Sequence, residues 1–366
     1  MSTHPTESGL ETAEPAAGAE ALTALDDDKP PAAAGVRKWL QFRFLIRFQS
    51  LLGLVLVLVG GIIFSPERNG EILFLSADNL ANIVRSVSET GIIAVGMTFV
   101  IIAGGIDLSV GAVLGLSGVL VARLMIDWNY GTAVAIVIVL IAGLLFGVFQ
   151  GLVSNYLRIQ AFIVTLAGLQ LARGLARIIS GDKFINISFG NGRKQAPSSF
   201  SVLGDRIFGG VLPVSALIFL GVGIIGSIVL NTTRFGRHVF AVGGNERAAR
   251  LSGINVRYVK IVTFAICGVT AALSGILDAG QLAFANPDSG TGYELTAIAA
   301  VVIGGTSLFG GEGTVVGTLA GALLLGSLNN ILQLNNINAN LQLIVTATII
   351  VLAAALQHLA SRRRNT

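Results

Sequence analysis

Residues 131–153 read GTAVAIVIVLIAGLLFGVFQGLV and contain no charged side chain. A helix needs about 20 mostly apolar residues to cross the hydrocarbon core of a bilayer. This stretch is long enough, and other stretches along the chain have a similar composition. We predict membrane spans over residues 45–64, 85–103, 107–125, 131–153, 160–179, 211–230, 258–280, 293–309, 313–333 and 340–359.

Charge is scarce along the whole chain. Of its 366 residues, 53% are hydrophobic and 12% are charged, and the mean hydropathy is +0.78. An ordinary soluble domain carries about 25% charged residues. A chain this poor in charge cannot cover a water-exposed surface, whereas lipid accepts an apolar exterior and helix contacts in lipid favour glycine. We therefore predict an all-α fold, a polytopic transmembrane helical bundle of about ten spans.

The basic residues are distributed over several short loops. They form no single stripe, so the net charge of +4 does not indicate nucleic-acid binding. With both termini in the cytoplasm, most arginines and lysines fall on the cytoplasmic side, as the positive-inside rule requires. The outer loops then hold Arg68, Lys183, Arg193, Lys194 and Arg206.

The first 36 residues have a different composition from the rest. They are rich in alanine, proline and acidic residues and show no apolar periodicity. Such a segment cannot bury enough apolar surface to fold. We predict a disordered cytoplasmic tail over residues 1–36 and a transmembrane domain over residues 37–366.

Two segments share the pattern G-G-x-[DS]-L-x-x-G. Residues 104–111 read GGIDLSVG and residues 304–311 read GGTSLFGG. In the topology above, each segment joins a span that runs inward to one that runs outward, so we predict a parallel internal repeat. The glycine pairs have two interpretations: close packing and tight turns between helices, or an interrupted helix that lines a solute path.

Asp107 lies inside the first of these segments. A carboxylate near membrane depth is costly and needs a partner, a helix N-terminus or water. We expect it to accept a hydrogen bond from the amide of Ser109 or Val110, as the N-cap of the following span. A role in a solute path is the alternative.

The interruption over residues 231–257 is rich in arginine. Within it, Asn245 is a good N-cap, Glu246 favours the positive end of a helix dipole and Gly253 is a good C-terminal stop. We predict a helix of about two turns. Because so short a helix is unstable alone in water, it must fold back on the membrane domain or insert into a groove of a partner.

The sequence shows no motif for nucleotide binding, metal binding or hydrolysis. No segment matches the phosphate-binding pattern G-x-x-x-x-G-K-[ST], and no HExxH motif or cysteine cluster is present. Cys267 is the single cysteine. We predict no catalytic residue and no metal site, and if a nucleotide drives this protein, another subunit binds it.

Three long runs resemble one protein family. They are residues 96–111 (GMTFVIIAGGIDLSVG), residues 237–253 and, above all, residues 290–308 (GTGYELTAIAAVVIGGTSL). In this order they resemble the permease subunit of ribose-type bacterial sugar ABC importers. The resemblance implies a multi-pass protein of the bacterial inner membrane that pairs with a second copy of itself. It also implies a tandem ATPase subunit that binds ATP and Mg, and a periplasmic binding protein that delivers a monosaccharide.

The resemblance also implies roles for particular residues. The short helix corresponds to the family's cytoplasmic coupling helix, whose E-A-A-x-x-x-G pattern is similar to Glu246, Ala248, Ala249 and Gly253, with Arg247 inserted after the glutamate. We expect the coupling contact with the ATPase to use Asn245, Glu246, Arg247, Ala248, Ala249, Arg250 and Gly253.

Two further sets of residues are candidates for contact with the binding protein and the solute. The long polar outer loop over residues 180–210 is expected to dock the binding protein through Asp182, Lys183, Arg193 and Lys194. Polar residues within the spans are either interhelical partners or contacts along a translocation path. The path candidates are Thr98, Asp107, Tyr293, Glu294, Asn329 and Asn330.

A secondary sugar transporter driven by an ion gradient is the alternative function. Such proteins also use repeats and broken helices. They need buried ionisable residues to couple the ion, and the candidates here are Glu89, Asp107, Asp278 and Glu294.

Overall fold

Helices make up most of the described chain. The computed structural model describes residues 49–68, 70–190, 192 and 194–362, so the predicted tail over residues 1–36 lies outside the described residues. The helices are α1 (Gln49–Ile63), α2 (Ala77–Ile102), α3 (Val110–Ile126), α4 (Thr132–Tyr156), α5 (Ala161–Ser180), α6 (Val214–Thr232), α7 (Arg234–Gly244), α8 (Glu246–Leu251), α9 (Val256–Leu282), α10 (Tyr293–Ile303), α11 (Val315–Leu334) and α12 (Ala339–Arg362).

Six of these helices are long and apolar enough to cross a membrane. They are α2, α4, α5, α6, α9 and α11, and the other apolar stretches, in α1, α3, α10 and α12, are shorter. The prediction of a polytopic helical membrane protein is therefore confirmed, whereas the count of ten spans is not. The bundle has two ends, which we name the loop side, with residues 181–213, and the α8 side, with α7 and α8.

α2 and α9 form the centre of the bundle. Of the most apolar window in each helix, 83% is buried in α2 and 67% in α9, against 22% in α4. α9 packs most extensively on α4 and also contacts α2 and α3. The outward faces of α4 and α6 carry exposed leucine, isoleucine and valine, the surface that a bilayer covers.

Glycines allow α4 and α9 to approach backbone to backbone. A Cβ on Gly147 would overlap the carbonyl of Phe264, and one on Gly143 would lie 2.6 Å from the carbonyl oxygen of Gly268. Glycines at such contacts let two membrane helices approach closely. Glycine thus lies at a close helix contact here, as expected of a helical bundle in lipid.

α10 is only half as long as a membrane span. Its eleven residues rise about 16 Å, roughly half of the hydrocarbon thickness. The predicted span over residues 293–309 is therefore corrected to a shorter helix, because Gly304 and Gly305 end it. Gly290, just before α10, packs on Gly111 in the first turn of α3, so irregular backbone reaches deep into the bundle from the loop side.

The loop side contains more structure than a polar loop. Strand β3 (Ile185–Asn186) pairs antiparallel with β6 (Phe284–Ala285), and a 3-10 helix spans Ser198–Gly204. Two other short pairs are β1 (Glu67–Arg68) with β2 (Glu71–Ile72), and β4 (Arg206–Ile207) with β5 (Leu212–Pro213). The buried side chains of Ile185, Ile187 and Phe200 anchor this region to the bundle.

Replacing Gly147 by alanine tests the α4–α9 contact. The added methyl group has no space beside Phe264, and overpacking costs about 1–3 kcal/mol. We expect G147A to lower the thermal unfolding midpoint of the purified protein. The matched control is G174A in α5, where a Cβ meets nothing within 4 Å and alanine favours the helix. Equal midpoints for the two variants would contradict this packing.

Candidate functional site

The short helix predicted near residue 245 is present as α8. The side chain of Asn245 accepts a hydrogen bond of 3.0 Å from the amide of Ala248, which caps the first turn. Gly253 adopts a φ of +82°, a conformation that glycine reaches without strain. The amide of Ile254 then bonds the carbonyl of Ala249 and closes the helix.

One face of α8 folds back on the membrane domain. Glu246 forms an ion pair of 2.7 Å with Lys260 of α9 and one of 2.9 Å with Arg250. Ala249 is buried in a cluster with Val242 of α7 and Val259 of α9. These contacts supply the support that a helix of six residues cannot provide for itself.

The opposite face of α8 is open. Leu251 is 90% exposed, and Arg247 is exposed with no hydrogen bond or ion pair to another part of the described chain. Arg250 is instead bound to Glu246. Leu251 and Arg247 are therefore both accessible on this face.

The Glu246 ion pair is stable at neutral pH. The hydrogen bond from Lys260 lowers the pKa of the Glu246 carboxyl below its usual 4.5, and Arg250 lowers it further. A carboxyl whose pKa is lower in the folded state stabilises that state above its unfolded pKa and loses the effect as pH falls through the folded pKa. The tie between α8 and α9 therefore persists until the solution is more acidic than pH 4.5.

α7 meets the end of α2 and the turn after α10 at backbone level. The amide of Gly311 donates a 2.9 Å hydrogen bond to the carbonyl of Ile102, the last residue of α2. A Cβ on Gly243 of α7 would overlap that same carbonyl and lie 2.6 Å from the Gly311 amide nitrogen. We call Ile102, Gly243, Gly310 and Gly311 the glycine junction.

The two repeated glycine segments end their helices in the same way. Gly104 and Gly305 have φ values of +82° and +86°. The amide of Gly105 bonds Val100, and that of Thr306 bonds Val301, which is the pattern of a Schellman cap in both places. In the structure Gly104 corresponds to Gly305, whereas the sequence pattern aligns Gly104 with Gly304. The two alignments therefore differ by one residue.

A cavity of about 580 Å³ lies beside the glycine junction. Its wall includes the turn at Gly104 and Gly105, the connection between α4 and α5, and parts of α8 and α9. Basic side chains dominate its charge, with Glu246 as the acidic member; they are Arg158, Arg250, Arg257 and Lys260.

Four of the six path candidates are engaged between helices or within a turn. Thr98 lies 2.8 Å from Thr318, and both hydroxyls are fully buried. The amide of Asn330 donates a 2.8 Å bond to Asn79, which donates one of 3.0 Å in return. Asn329 accepts a 3.3 Å bond from Thr346. These contacts fit the interhelical interpretation of polar residues in membrane spans.

Asp107 is engaged within its turn through one carboxylate oxygen, Oδ1. It accepts 2.9 Å and 2.6 Å hydrogen bonds from the amide and hydroxyl of Ser109, and Gln150 of α4 donates a 2.8 Å bond to that hydroxyl. The expected bond from the Ser109 amide is present. The N-cap position of α3 itself is Ser109, so Asp107 stabilises the turn before the helix.

The remaining path candidates, Tyr293 and Glu294, lie in the first turn of α10. The hydroxyl of Tyr293 donates a 3.3 Å bond to Glu89 of α2. The carboxylate of Glu294 is half-buried beside Gly111, where its oxygen would lie 2.5 Å from an added Cβ. These two side chains therefore mark the place where the irregular backbone meets the bundle interior.

The candidates for docking a binding protein lie on the loop side. Asp182, Lys183 and Lys194 are exposed, and Arg193 lies outside the described residues. Asp182 is 3.8 Å from Arg177, which also pairs with Asp288 at 2.9 Å. Charged side chains thus cover the loop-side surface between the end of α5 and Asp288.

A polar cluster surrounds Glu89, and part of it was not predicted from the sequence. Glu89, predicted only as an ion-coupling residue, accepts hydrogen bonds from Gln281 and Tyr293, and Gln281 in turn accepts one from Arg85. A pattern in the sequence indicates part of this cluster. Polar residues recur along α2 at intervals of four, three and four residues, at Asp78, Asn82, Arg85 and Glu89. That spacing places polar groups on one face of a membrane helix.

A bundle of apolar helices that can cross a membrane, with a short helix fixed to one end, defines a polytopic membrane protein. The comparisons with known proteins agree. Residues 79–354 match the family described as branched-chain amino acid transport system / permease component. The chain belongs to this family.

The curated relatives are more specific. The chain is 40% identical to the ribose import permease protein RbsC of Escherichia coli K12, over 87% of this chain and 95% of the relative. It is 39% identical to the ribose import permease protein of Bacillus subtilis 168, over 83% and 90%. It is 34% identical to the xylose transport system permease protein XylH of E. coli K12, over 79% and 87%. No solved structure matches the chain.

A substitution at Gly243 tests the glycine junction. We expect G243A to push α7 away from Ile102 and break the Gly311 bond, because its methyl group overlaps the carbonyl. A hydrogen bond is worth about 1 kcal/mol, so hydrogen exchange of the Gly311 amide should quicken several-fold, roughly tenfold for each 1.4 kcal/mol. The matched control is G244A, where a Cβ meets nothing within 4 Å. Equal exchange in both variants would show that the junction is not closely packed.

Proposed function

We propose that this chain is the membrane-spanning permease subunit of an ATP-driven importer that takes up a monosaccharide delivered by a periplasmic binding protein. The observation that carries the proposal is α8, a helix fixed to the membrane domain on one face and open on the other. The relatives named ribose import permease and xylose transport system permease support the substrate class.

The open face of α8 is the surface for a separate ATPase subunit. Leu251 offers an apolar contact, and Arg247 offers a cation for an acidic group of the partner. Asn245, Ala248 and Gly253 set the shape of the helix. ATP and Mg are bound by that partner, and this chain contributes movement.

The α8 side faces the cytoplasm and the loop side faces the periplasm. The excess of basic residues in the segments next to α8 supports this orientation through the positive-inside rule. Both termini then lie in the cytoplasm, and the chain is a multi-pass protein of the bacterial inner membrane. Asp182, Lys183, Arg193 and Lys194 are placed to meet the binding protein.

Movement reaches the bundle through two connections. The ion pair between Glu246 and Lys260 joins α8 to α9. The glycine junction joins α7 to the end of α2 and to the turn after α10. When the ATPase displaces α8, the helices α2, α9 and α10 are displaced with it, and solute access changes between the two sides. The basic cavity beside the junction is the exit.

A second copy of the chain completes the transporter. The exposed apolar faces of the bundle offer surface for lipid and for this copy. The matching caps at Gly104 and Gly305 support a parallel internal repeat in which α2 with α3 corresponds to α10 with α11.

Replacing Leu251 by alanine tests the coupling surface. Burying a leucine side chain contributes about 1.5–3 kcal/mol, so we expect L251A to weaken binding of the ATPase subunit by roughly tenfold or more. Affinity is measured by co-purification or titration in detergent. The matched control is L282A at the loop-side end of α9, where Leu282 is also exposed. The same affinity for both variants would place the ATPase elsewhere.

The energy source separates the importer from an ion-driven transporter. The purified chain, its ATPase and its binding protein are reconstituted in vesicles, and uptake of radiolabelled ribose is followed. We expect uptake to require ATP and to continue when a protonophore abolishes the proton gradient. Uptake that stops with the protonophore while ATP stays high would favour the ion-driven alternative.

A further inference from the structure

We infer that Arg85, Glu89, Gln281 and Tyr293 form a site that contacts the hydroxyl groups of the sugar as it passes from the loop side into the bundle. We call these residues the polar cluster. The inference rests on the proposed function, because it names the part of the chain that meets the solute. Three features of the polar cluster support it: the position of the cluster, its unused hydrogen-bonding capacity and its connection to α8.

The polar cluster lies at the inner end of a polar stripe. Asp78, Asn82, Arg85 and Glu89 share one face of α2, beginning at its loop-side end. Arg206 of the loop side bonds the first two, at 2.8 Å each. The stripe therefore leads from the exposed loop side to Glu89, which is 8% exposed. Polar groups in a membrane helix face a partner or a water-filled path.

The hydrogen bonds within the cluster divide into strong and weak ones. Arg85 donates two 2.7 Å bonds to the side chain and the carbonyl of Gln281, which fix both residues. Glu89 accepts 3.3 Å bonds from the Gln281 amide and the Tyr293 hydroxyl, one on each oxygen. Hydrogen bonds in proteins normally measure about 2.7–3.2 Å from N–H and about 2.5–3.0 Å from O–H donors, so Glu89 is held loosely.

Capacity for further bonds remains in the cluster. Each oxygen of the Glu89 carboxyl group takes part in one long bond from a side chain, which leaves further hydrogen-bonding positions on the group. The Nη1 atom of Arg85 has no hydrogen-bond partner in the described part of the chain. A sugar hydroxyl both donates and accepts, so it can bond to Glu89 and to Arg85 at once. A monosaccharide suits this combination of groups.

The pairs that Asn79 and Thr98 of α2 form lack this combination. The reciprocal bonds between Asn79 and Asn330 measure 2.8 Å and 3.0 Å, and the Thr98 pair is fully buried. Arg85, Gln281 and Tyr293 are each partly exposed. The cluster is thus the polar group along α2 that combines partial access with incomplete bonding.

The three helices that carry the cluster are the three that α8 displaces. Glu89 lies in α2, whose last residue Ile102 is in the glycine junction. Gln281 lies in α9, which Glu246 ties to α8 through Lys260. Tyr293 begins α10, which the turn at Gly311 follows. A movement of α8 therefore changes the distances within the polar cluster, and with them the hydrogen bonds that the cluster makes to the sugar.

Cysteine labelling tests whether the cluster lines a path. In a C267A background, E89C and Y293C are exposed in membranes to a thiol reagent that cannot cross the bilayer, added from the periplasmic side. We expect both to react at least tenfold faster than T98C, a fully buried control further along α2. No reaction at positions 89 and 293, or equal rates at all three positions, would overturn the inference. This labelling experiment needs no ATPase, and its expected result is the same whether ATP or an ion gradient drives transport.

Uptake by the reconstituted importer tests contact with the sugar. We expect E89Q and Y293F to lower ribose uptake at least several-fold, while ATP hydrolysis stimulated by the ribose-loaded binding protein stays at the wild-type rate. A merely structural role would lower both together, and unchanged uptake in both variants would contradict the inference. Absence of ATP-dependent uptake in the wild type would instead count against the proposed function.

Discussion

The contact of backbone with backbone at Gly243, Ile102 and Gly311 is the constraint on which the rest of the structure depends. Any side chain at Gly243 would occupy the space of the Ile102 carbonyl. Because the three segments touch without intervening side chains, no flexible group lies between them to absorb a displacement. The surface helix α8 follows directly from this contact and is also tied to α9 by Glu246.

The same helices connect the two ends of the molecule. α2 runs from the polar stripe to the glycine junction, and α9 runs from Lys260 near α8 to Gln281. α10 spans only half of the membrane and joins the irregular backbone at Gly290 to the turn at Gly311. Rigid helices can therefore transmit a displacement of a few ångströms from one end of the molecule to the other.

The sequence predicted the helical class, the short helix with its Asn245 cap and the turn at Asp107, because each depends on local patterns of hydropathy or capping. It did not predict α7, the length of α10 or the polar cluster. α10 lies within an apolar run, residues 293–309, that looks like a full span, and only tertiary contacts show how deep Gly290 lies. Glu89 lies 192 residues before Gln281 and 204 before Tyr293, so their meeting depends on how three helices pack.

The most direct test of the account is whether α8 and the junction move as one body. Spin labels at Arg247 and Glu312, both exposed on the α8 side, report the distance between α8 and the turn after α10. A second pair, at Arg247 and Trp128, reports the distance to the loop-side end of α3. The account predicts that ATP binding to the assembled importer changes the second distance and leaves the first unchanged. A change in the first distance with the second constant would contradict it.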